Sequence, residues 1–506
     1  MPSAKHTSMP SPTGGLNDRT SFVEQKPNEA VVLENWFPYT SYVGIRKGSQ
    51  DHVTGLPATV ETLVEYNPES GGAKLFAAAG TAIYDVTTAG VVGSPVVSGM
   101  SNARWQETMI TTPGGSFLVM CNGADAPRVY NGTTWSAMSV NHANPADLVH
   151  VCLFKNRLFF VEKNSAEIHY LPVQSIGGNT AAYPLGAVFK KGGYVNAIYT
   201  WTLDAGQGSD DHLVVISSKG EVAVYSGTDP SSAADWRLVG VFSLGVPLGR
   251  RCGIKYAGDL LINCVEGVMP LTRSLQSVTA DSTVAITDKI QNSVSADADS
   301  YSQNFGWQLC LFEDLNMVIL NVPAGNGANY QYVQNTITGS WAKFTGWNAT
   351  VWLHSLSGLY FGSGTKIVRA WTGYLDNTAT INADVIVSFQ YFGDKAANKY
   401  FTMVKPYLFS TGNPSIKYGL CPDFQQLEPE GQFNYNVPSG MIWGQMVWGT
   451  DSMIWGGGLQ PITGGWHTVG AVANTAALRL KIQNNGSDVR FMNVSYVYNH
   501  GNVLNY

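Results

Sequence analysis

LYFGSGTKIVRAWTG, residues 359–373, decides how this chain is read. Apolar and aromatic residues flank Gly362 and Gly364, which suits two short strands on a pleated, largely buried surface, and the glycines supply the positive φ of a tight connection. One hairpin could belong to any β protein. Looser versions of the phrase recur, however: KLFAAAGTAIYDV at 74–86, RLFFVEKNSAEIHYL at 157–171 and HLVVISSKGEVAVYSG at 212–227. Taking the first apolar strand of each unit places starts near Leu75, Phe117, Leu158, Leu213, Leu260, Met317 and Leu359, at intervals of roughly 40 to 57 residues. Four-stranded propeller blades repeat every 40 to 50 residues or so, hence an all-β chain with a β-propeller of six or seven blades is expected. The runs WQETMITT, VNAIYTWTL, WRLVGVFSL, GWQLCLF and TVWLHSL supply further strands between the markers.

Composition agrees with that reading. Of 506 residues, 44% are hydrophobic and only 13% charged, with 54 glycines, 14 tryptophans and 24 tyrosines, which favours strands joined by tight turns. A net charge of −6 argues against a surface that grips nucleic acid through a dominant basic patch, though not against DNA passing a neutral or acidic wall. The six cysteines lack CxxC spacing and sit mostly in apolar runs, so they read as reduced core residues. No apolar run reaches the 18 to 20 or so residues of a membrane span, and MPSAKHTSMPSPTGG has no signal-peptide core. A soluble protein made in a cytoplasm is the expectation.

Three regions follow. Residues 1–50 form a tail and arm: a mobile Ser/Pro-rich stretch to residue 15, then an extended segment with a turn of helix near 27–30 and the anchors Val31, Val32, Leu33, Trp36 and Phe37. Residues 51–375 form the propeller. Residues 376–506 form a β-sandwich-like domain from strands such as ADVIVSFQYF and YFTMVKPYLF, with Pro406 marking an edge or bulge. Inside it, PSGMIWGQMVWGTDSMIWGGG at 438–458 repeats a Trp-Gly phrase. Trp443, Trp448 and Trp455, together with Trp36 and Phe37, are candidate interface residues, packing against the domain's own sheet being the alternative. One polar segment, 287–303, breaks the β pattern: Thr287 is a plausible N-cap, Asp288 opens the first turn, and Ile290 and Val294 lie four apart. It reads as a short helix that either faces a channel or covers an exposed sheet edge.

Catalytic signatures do not appear. GxSxG, GxGxxG, HExxH, CxxC and a full phosphate loop are missing, and GSGTK sits in a hairpin. The histidines show no ligand spacing; Asp210, Asp211 and His212 form the best cation candidate, but a turn rich in Gly, Ser and Asp is more often a solvated loop. NGTTW at 131–135 preserves only the end of a sialidase-type turn, and two carboxylates on separate blades would leave no local signature. The doublets Lys190-Lys191 and Arg250-Arg251 are candidates for contact with DNA or a neighbouring subunit, or ordinary solvated surface. No cofactor or metal is expected.

GGLND followed by PNEAVVLENWFP and GIRKG, the 359–373 hairpin, and the MIWG repeat ahead of a closing β domain resemble the β-propeller nozzle proteins of short-tailed bacteriophage tails. The resemblance spans residue 14 to the C-terminus and offers no catalytic residues. It implies a non-enzymatic virion component, assembled in the bacterial host: a homohexameric ring below the adaptor and portal that extends and gates the DNA channel and meets the tail tip or fibres. Under that implication, candidate gate positions are Gly206, Asp210 and Asp211, Asp288, Asp297 and Asp299, and Asn326. A glycan-binding or glycan-cleaving propeller is the alternative.

Overall fold

A computed structural model describes residues 4–204, 209–274, 282–433, 435, 458–462 and 464–500. The deciding hairpin forms as its sequence predicts. Gly358–Ser363 and Lys366–Ala370 pair antiparallel across Gly364 and Thr365, with Gly364 at φ +55°. Val351–Ser355 pairs on the inner side, and the outer strand comes from far upstream, Ser49–Thr54. The last blade is therefore closed by the beginning of the chain.

Six more sheets precede it in the same up-and-down order. Their first strands are Val60–Tyr66, Gln106–Thr112, Leu148–Phe154, Val195–Asp204, Gly253–Tyr256 and Gln308–Phe312. Each first strand neighbours the next, and Val351–Ser355 neighbours Val60–Tyr66, which closes a propeller of seven blades among the described residues. All seven sequence markers fall on the second strand of a blade, not the first as expected. The reason is burial: a second strand has strands on both sides and blades on both faces, so it reads as a continuous apolar run, as in Met317–Val322 with all six residues buried. First strands line the axis and carry polar residues that blur the signal.

The fifth blade has three strands, Gly253–Tyr256, Asp259–Cys264 and Gly267–Pro270. A helix, Gln291–Tyr301, packs beside the third and takes the outer position, the edge-covering alternative for this segment. Ile290, Val294 and Ala298 are buried in the large core. Thr287 does not cap the helix; its hydroxyl accepts from the Val268 N–H at 3.1 Å. The cap comes instead from Asp18, whose carboxylate accepts from the backbone N–H groups of Asn292 and Ser293 at 3.2 and 2.8 Å.

The N-terminal region is not a free arm. Lys5–Pro10, expected to be mobile, pairs with Val489–His500, and residues 27–30 make a turn entering the strand Ala30–Glu34 rather than a helical turn. That strand bridges Glu34 to Lys343 of the sixth blade on one side and pairs with Ile381–Val387 on the other, so blade 6 continues into the C-terminal domain as one nine-stranded sheet. A second sheet, built on Lys399–Ser410 and Val489–His500 with Trp36–Pro38 and Val43–Ile45 at one side, packs against it. Phe401, Val404, Leu408 and Phe491 share a core with Val385, Leu478, Leu480 and Ile482, which makes the sandwich. Pro406 lies where Lys399–Ser410 passes from one partner strand, His467–Ala473, to another, Gln460–Pro461, next to a bulge at Tyr407 and Leu408. Its missing N–H is needed by neither partner.

One buried ion pair ties these parts together. Arg46, 1% exposed, uses all five N–H donors: two on the Asp376 carboxylate at 2.7 and 3.0 Å, two on the carbonyls of Thr345 and Lys47, and one on Asn35 Oδ1. Its guanidinium lies 4.4 Å from the Trp347 ring centroid, and Trp347 Nε1 donates to Asp376 Oδ1. Replacing Arg46 with Met should lower the unfolding free energy by about 3–5 kcal/mol, because Asp376 is left without its partner. Arg46→Lys should recover less than half of that loss, since an ammonium cannot fork across a carboxylate. Urea unfolding followed by tryptophan fluorescence measures both; a loss below about 1 kcal/mol for Arg46→Met, the ordinary range of surface changes, would contradict the assignment.

Candidate functional site

The seven first strands surround an axial cavity of about 230 Å³. Its wall is polar where a propeller core would be dry: Glu107, His150, Tyr199, Arg251 and Gln308 all face it. Arg251, just ahead of the fifth blade's first strand, reaches across the axis. Its guanidinium donates to the Glu61 carbonyl at 3.0 Å, the Thr62 hydroxyl at 2.8 Å and the Trp105 carbonyl at 3.0 Å, joining blade 5 to blades 1 and 2. Burial weakens its hold on the proton while Glu107 opposes that effect, and an arginine stays charged regardless. Glu107 is pushed up by desolvation and drawn back by Arg251; its carboxylate meets the lumen while protein walls it on every side. His150 is buried, and desolvation, then the nearby Arg250 charge, depress it to about 3.

One mouth of the axis opens into a wider cleft of about 560 Å³. Phe305 stands there with the Arg104 and Arg251 guanidinium carbons 4.5 and 5.5 Å from its ring centroid, and Arg104 pairs with Glu61 at 3.0 Å. Asn304, Asn326, Asn329 and Asn348 complete a rim rich in amides. Asn329 is fixed by accepting from the Gly325 N–H and donating to the Ala349 carbonyl. Geometrically the cleft can hold a polar ligand between an aromatic face and amide donors; the axis beneath it is crossed by the Arg251 side chain.

The positions singled out from sequence scatter. Asp211 lies on the hairpin between the first and second strands of blade 4, where burial alone would raise its carboxyl, but bonds accepted from the Thr202 hydroxyl at 2.8 Å and Lys155 Nζ at 3.1 Å, with the lysine charges nearby, hold it below the ordinary range. Asp210 pairs by backbone with Leu203 in that hairpin, and Gly206 lies outside the described residues. Asn326 sits on the connection between second and third strands of blade 6, and successive hairpins of a blade lie at opposite ends, so the two candidate gate loops occupy opposite faces. Asp288 pairs with Arg19, Asp299 is exposed, and Asp297 accepts from the Tyr330 and Tyr332 hydroxyls at 2.5 and 2.8 Å, fastening the helix onto blade 6. Trp36 and Phe37, proposed for an interface, are 0% and 1% exposed and belong to the core: both lie in the end strand of the second C-terminal sheet, which packs against the outer strands of blade 6 and Ile381–Val387. Trp443, Trp448 and Trp455 lie outside the described residues. Arg250 and Arg251 are consumed internally, Arg250 donating to the Asn196 carbonyl at 2.6 Å. Lys190 and Lys191 remain on the surface, their backbone N–H groups held by the Glu221 carboxylate at 2.9 and 2.8 Å.

Sequence reasoning missed one cluster. His142, Glu162 and His169 bring one ligand atom each within 4.8 Å of one another on blade 3, although 20 and 7 residues separate them in sequence. The available signal was the hairpin register, which sets His169 opposite Phe160 and so diagonal to Glu162.

No protein-family model matches the chain, and no curated protein matches it. Solved structures similar to it are propeller-type proteins. They include BBS1N in complex with ARL6DN (11% identity, TM-score 0.37, covering 64% of this chain and 98% of that one) and YCF48 bound to D1 peptide (12%, 0.34, 66% and 98%). A quinonprotein alcohol dehydrogenase-like protein from Bacteroides thetaiotaomicron is similar at 10% identity and TM-score 0.33, with 62% and 68% covered. Likeness at this level says nothing about activity.

The lumen makes a pH dependence testable. His150 is neutral in the fold and titrates near 6.5 when unfolded, so its contribution is whole above pH 6.5 and is lost as pH falls toward about 3. His150→Gln should therefore flatten the acid side of the stability profile, removing up to about 1.4 kcal/mol per pH unit of the decline between pH 6 and 4. Denaturant unfolding at pH 7, 5.5 and 4.5 reads this directly. Parallel profiles for both proteins would show that folding leaves the proton affinity of His150 unchanged and would contradict its desolvation.

Proposed function

We propose that this chain is a non-enzymatic structural subunit of a short-tailed bacteriophage tail, forming a homohexameric nozzle that extends the DNA exit channel between the adaptor side and the tail tip or fibres. The observation that carries the reading is a wet apolar face on the outer sheet of the sandwich. Tyr400, Met403 and Tyr407 of Lys399–Ser410 and Val472 of His467–Ala473 are 46%, 38%, 38% and 63% exposed, and Tyr400 and Val472 are register partners. Aromatic and methionine side chains clustered on one sheet face, with the Lys405 ammonium 5.3 Å from the Tyr407 ring, mark contact with another protein.

The rest of the architecture supports a wedge in a ring. Propeller and sandwich share one continuous sheet and the Arg46–Asp376 knot, so the subunit transmits load as a single body. One heterologous interface repeated by rotation closes such wedges into a ring. DNA would pass between subunits, because a double helix, with a major groove alone about 12 Å wide, cannot enter a bore crossed by Arg251. Lys190 and Lys191, on the surface, are the basic pair left for DNA or a neighbouring copy. The rival reading, a glycan-binding or glycan-cleaving propeller, draws on the amide-rich mouth around Phe305.

Negative-stain imaging and sedimentation of the purified chain test the proposal. Six-fold rings are expected, and the double substitution Tyr400→Asp with Val472→Asp should yield monomers whose stability stays within about 0.5 kcal/mol of the parent, as for surface changes generally. A strictly monomeric parent protein, both free and in particles, overturns the nozzle; release or retention of surface polysaccharide lost on Phe305→Ala would favour the glycan reading.

A further inference from the structure

We infer that His142, Glu162 and His169 form a binding site for a divalent transition metal, with Zn²⁺ the best match to the donor set. His142 follows the short strand Val140–Asn141, which pairs in parallel with Gly178–Asn179; this ribbon connects blade 2 to blade 3 and returns beside it. Glu162 ends the second strand of blade 3 and His169 lies in the third. The site therefore joins a connecting ribbon to the blade it flanks.

The distances suit a metal better than a hydrogen-bonded triad. Glu162 Oε1 lies 3.7 Å from His142 Nε2, and Glu162 Oε2 lies 3.2 Å from His169 Nε2. Tetrahedral ligands about 2.0–2.1 Å from Zn²⁺ stand roughly 3.3–3.4 Å apart, and one ligand atom from each of the three residues lies within 4.8 Å of the others, so small side-chain rotations bring the set onto one ion. A hydrogen bond accounts for His169 and Glu162 but leaves His142 out. Its side chain is only 5% exposed, and its Nε2 is buried without a hydrogen-bond partner. A buried nitrogen in that condition costs about 1–3 kcal/mol, and a metal at the centre of the cluster removes the cost.

The surroundings fit ligation as well. The His142 and His169 rings meet edge to face at 4.5 Å between centroids, so both nitrogens converge on the carboxylate. His142 Nδ1 lies 3.5 Å from the Thr180 hydroxyl, which orients the ring and leaves Nε2 as the free lone pair. Two imidazoles and one carboxylate disfavour Ca²⁺ and Mg²⁺, which take oxygen, and suit Zn²⁺ or its first-row neighbours. Glu162 is 26% exposed, so the remaining coordination position opens toward solvent.

The test uses the full chain without an affinity tag, stripped with chelator and titrated with Co²⁺ and then Zn²⁺. Expected results are one metal per chain, a visible Co²⁺ absorption band that Zn²⁺ abolishes, and a rise in Tm on loading. His142→Ala and His169→Ala should each weaken binding by more than about a hundredfold, and Thr180→Val by about tenfold, the usual scale for a residue behind a ligand. Folded protein, verified by circular dichroism, that takes up no metal at micromolar concentration overturns the site. So does a Co²⁺ band unchanged in the His142→Ala protein, which would place the metal elsewhere.

Discussion

Everything in this fold leans on Arg46. Four of its five donors reach beyond its own neighbours, to Asn35 of the N-terminal region, Thr345 at the end of blade 6 and both oxygens of Asp376 where the chain leaves blade 7 for the sandwich, and the fifth goes to the carbonyl of adjacent Lys47. A guanidinium with every donor satisfied, two of them on a carboxylate, offsets the desolvation cost of burying it, since any missing partner would leave desolvated charge. Asn35, at φ +60°, answers the same requirement; its Oδ1 accepts from Arg46 Nε and the Thr345 N–H while its amide donates to Thr345 and to the Asn382 carbonyl. The knot forms only when the chain's first fifty residues and its propeller are in place together.

That dependence explains the topology. A propeller must join its last blade to its first, and here the outer strand Ser49–Thr54 does so three residues after Arg46. Because the strands just before it belong to the sandwich, closing the ring also positions the second domain. Glu29 and Asp18 extend the same logic to the helix, Glu29 pairing with Lys289 at 3.1 Å and Asp18 capping Gln291–Tyr301. The chain thus has no hinge at residue 375 despite a change in sequence character there.

The propeller was legible because its signal is local: apolar second strands at near-regular spacing, each set by burial on both faces. What escaped was non-local. Lys5–Pro10 carries one buried residue, Met9, and reads as a tail because its partner strand lies near the other end of the chain. Trp36 and Phe37 were read as anchors for another subunit because nothing in sequence says that two sheets will enclose them. The phrases GGLND, PNEA and GIRKG, by contrast, hold Asp18, Glu29 and Arg46, which bond across the fold, and Asn17, whose amide donates to Glu29. Arg250-Arg251 looked like surface charge, since a doublet carries no mark of the carbonyls that await it. The metal cluster was invisible for the same reason, being made by strand register and not by spacing.

Sealing the axis decides where function can reside. A bore crossed by Arg251 serves stability, and it leaves two faces. Connections between second and third strands, with Asn326 and the Phe305 cleft, lie on one; the blade 4 hairpin with Asp211 lies on the other. In the ring proposed above, a lumen between subunits would be bordered by one of these faces or by the blades' outer edges, but not by both faces at once. Asp211 is already held by Lys155 and Thr202, and Asp297 by two tyrosines, so neither is free to swing. A gate built from this chain in the proposed ring would therefore have to release side chains already held by the blades, the Asn326 connection included, where Asn329 accepts from the Gly325 N–H and donates to the Ala349 carbonyl.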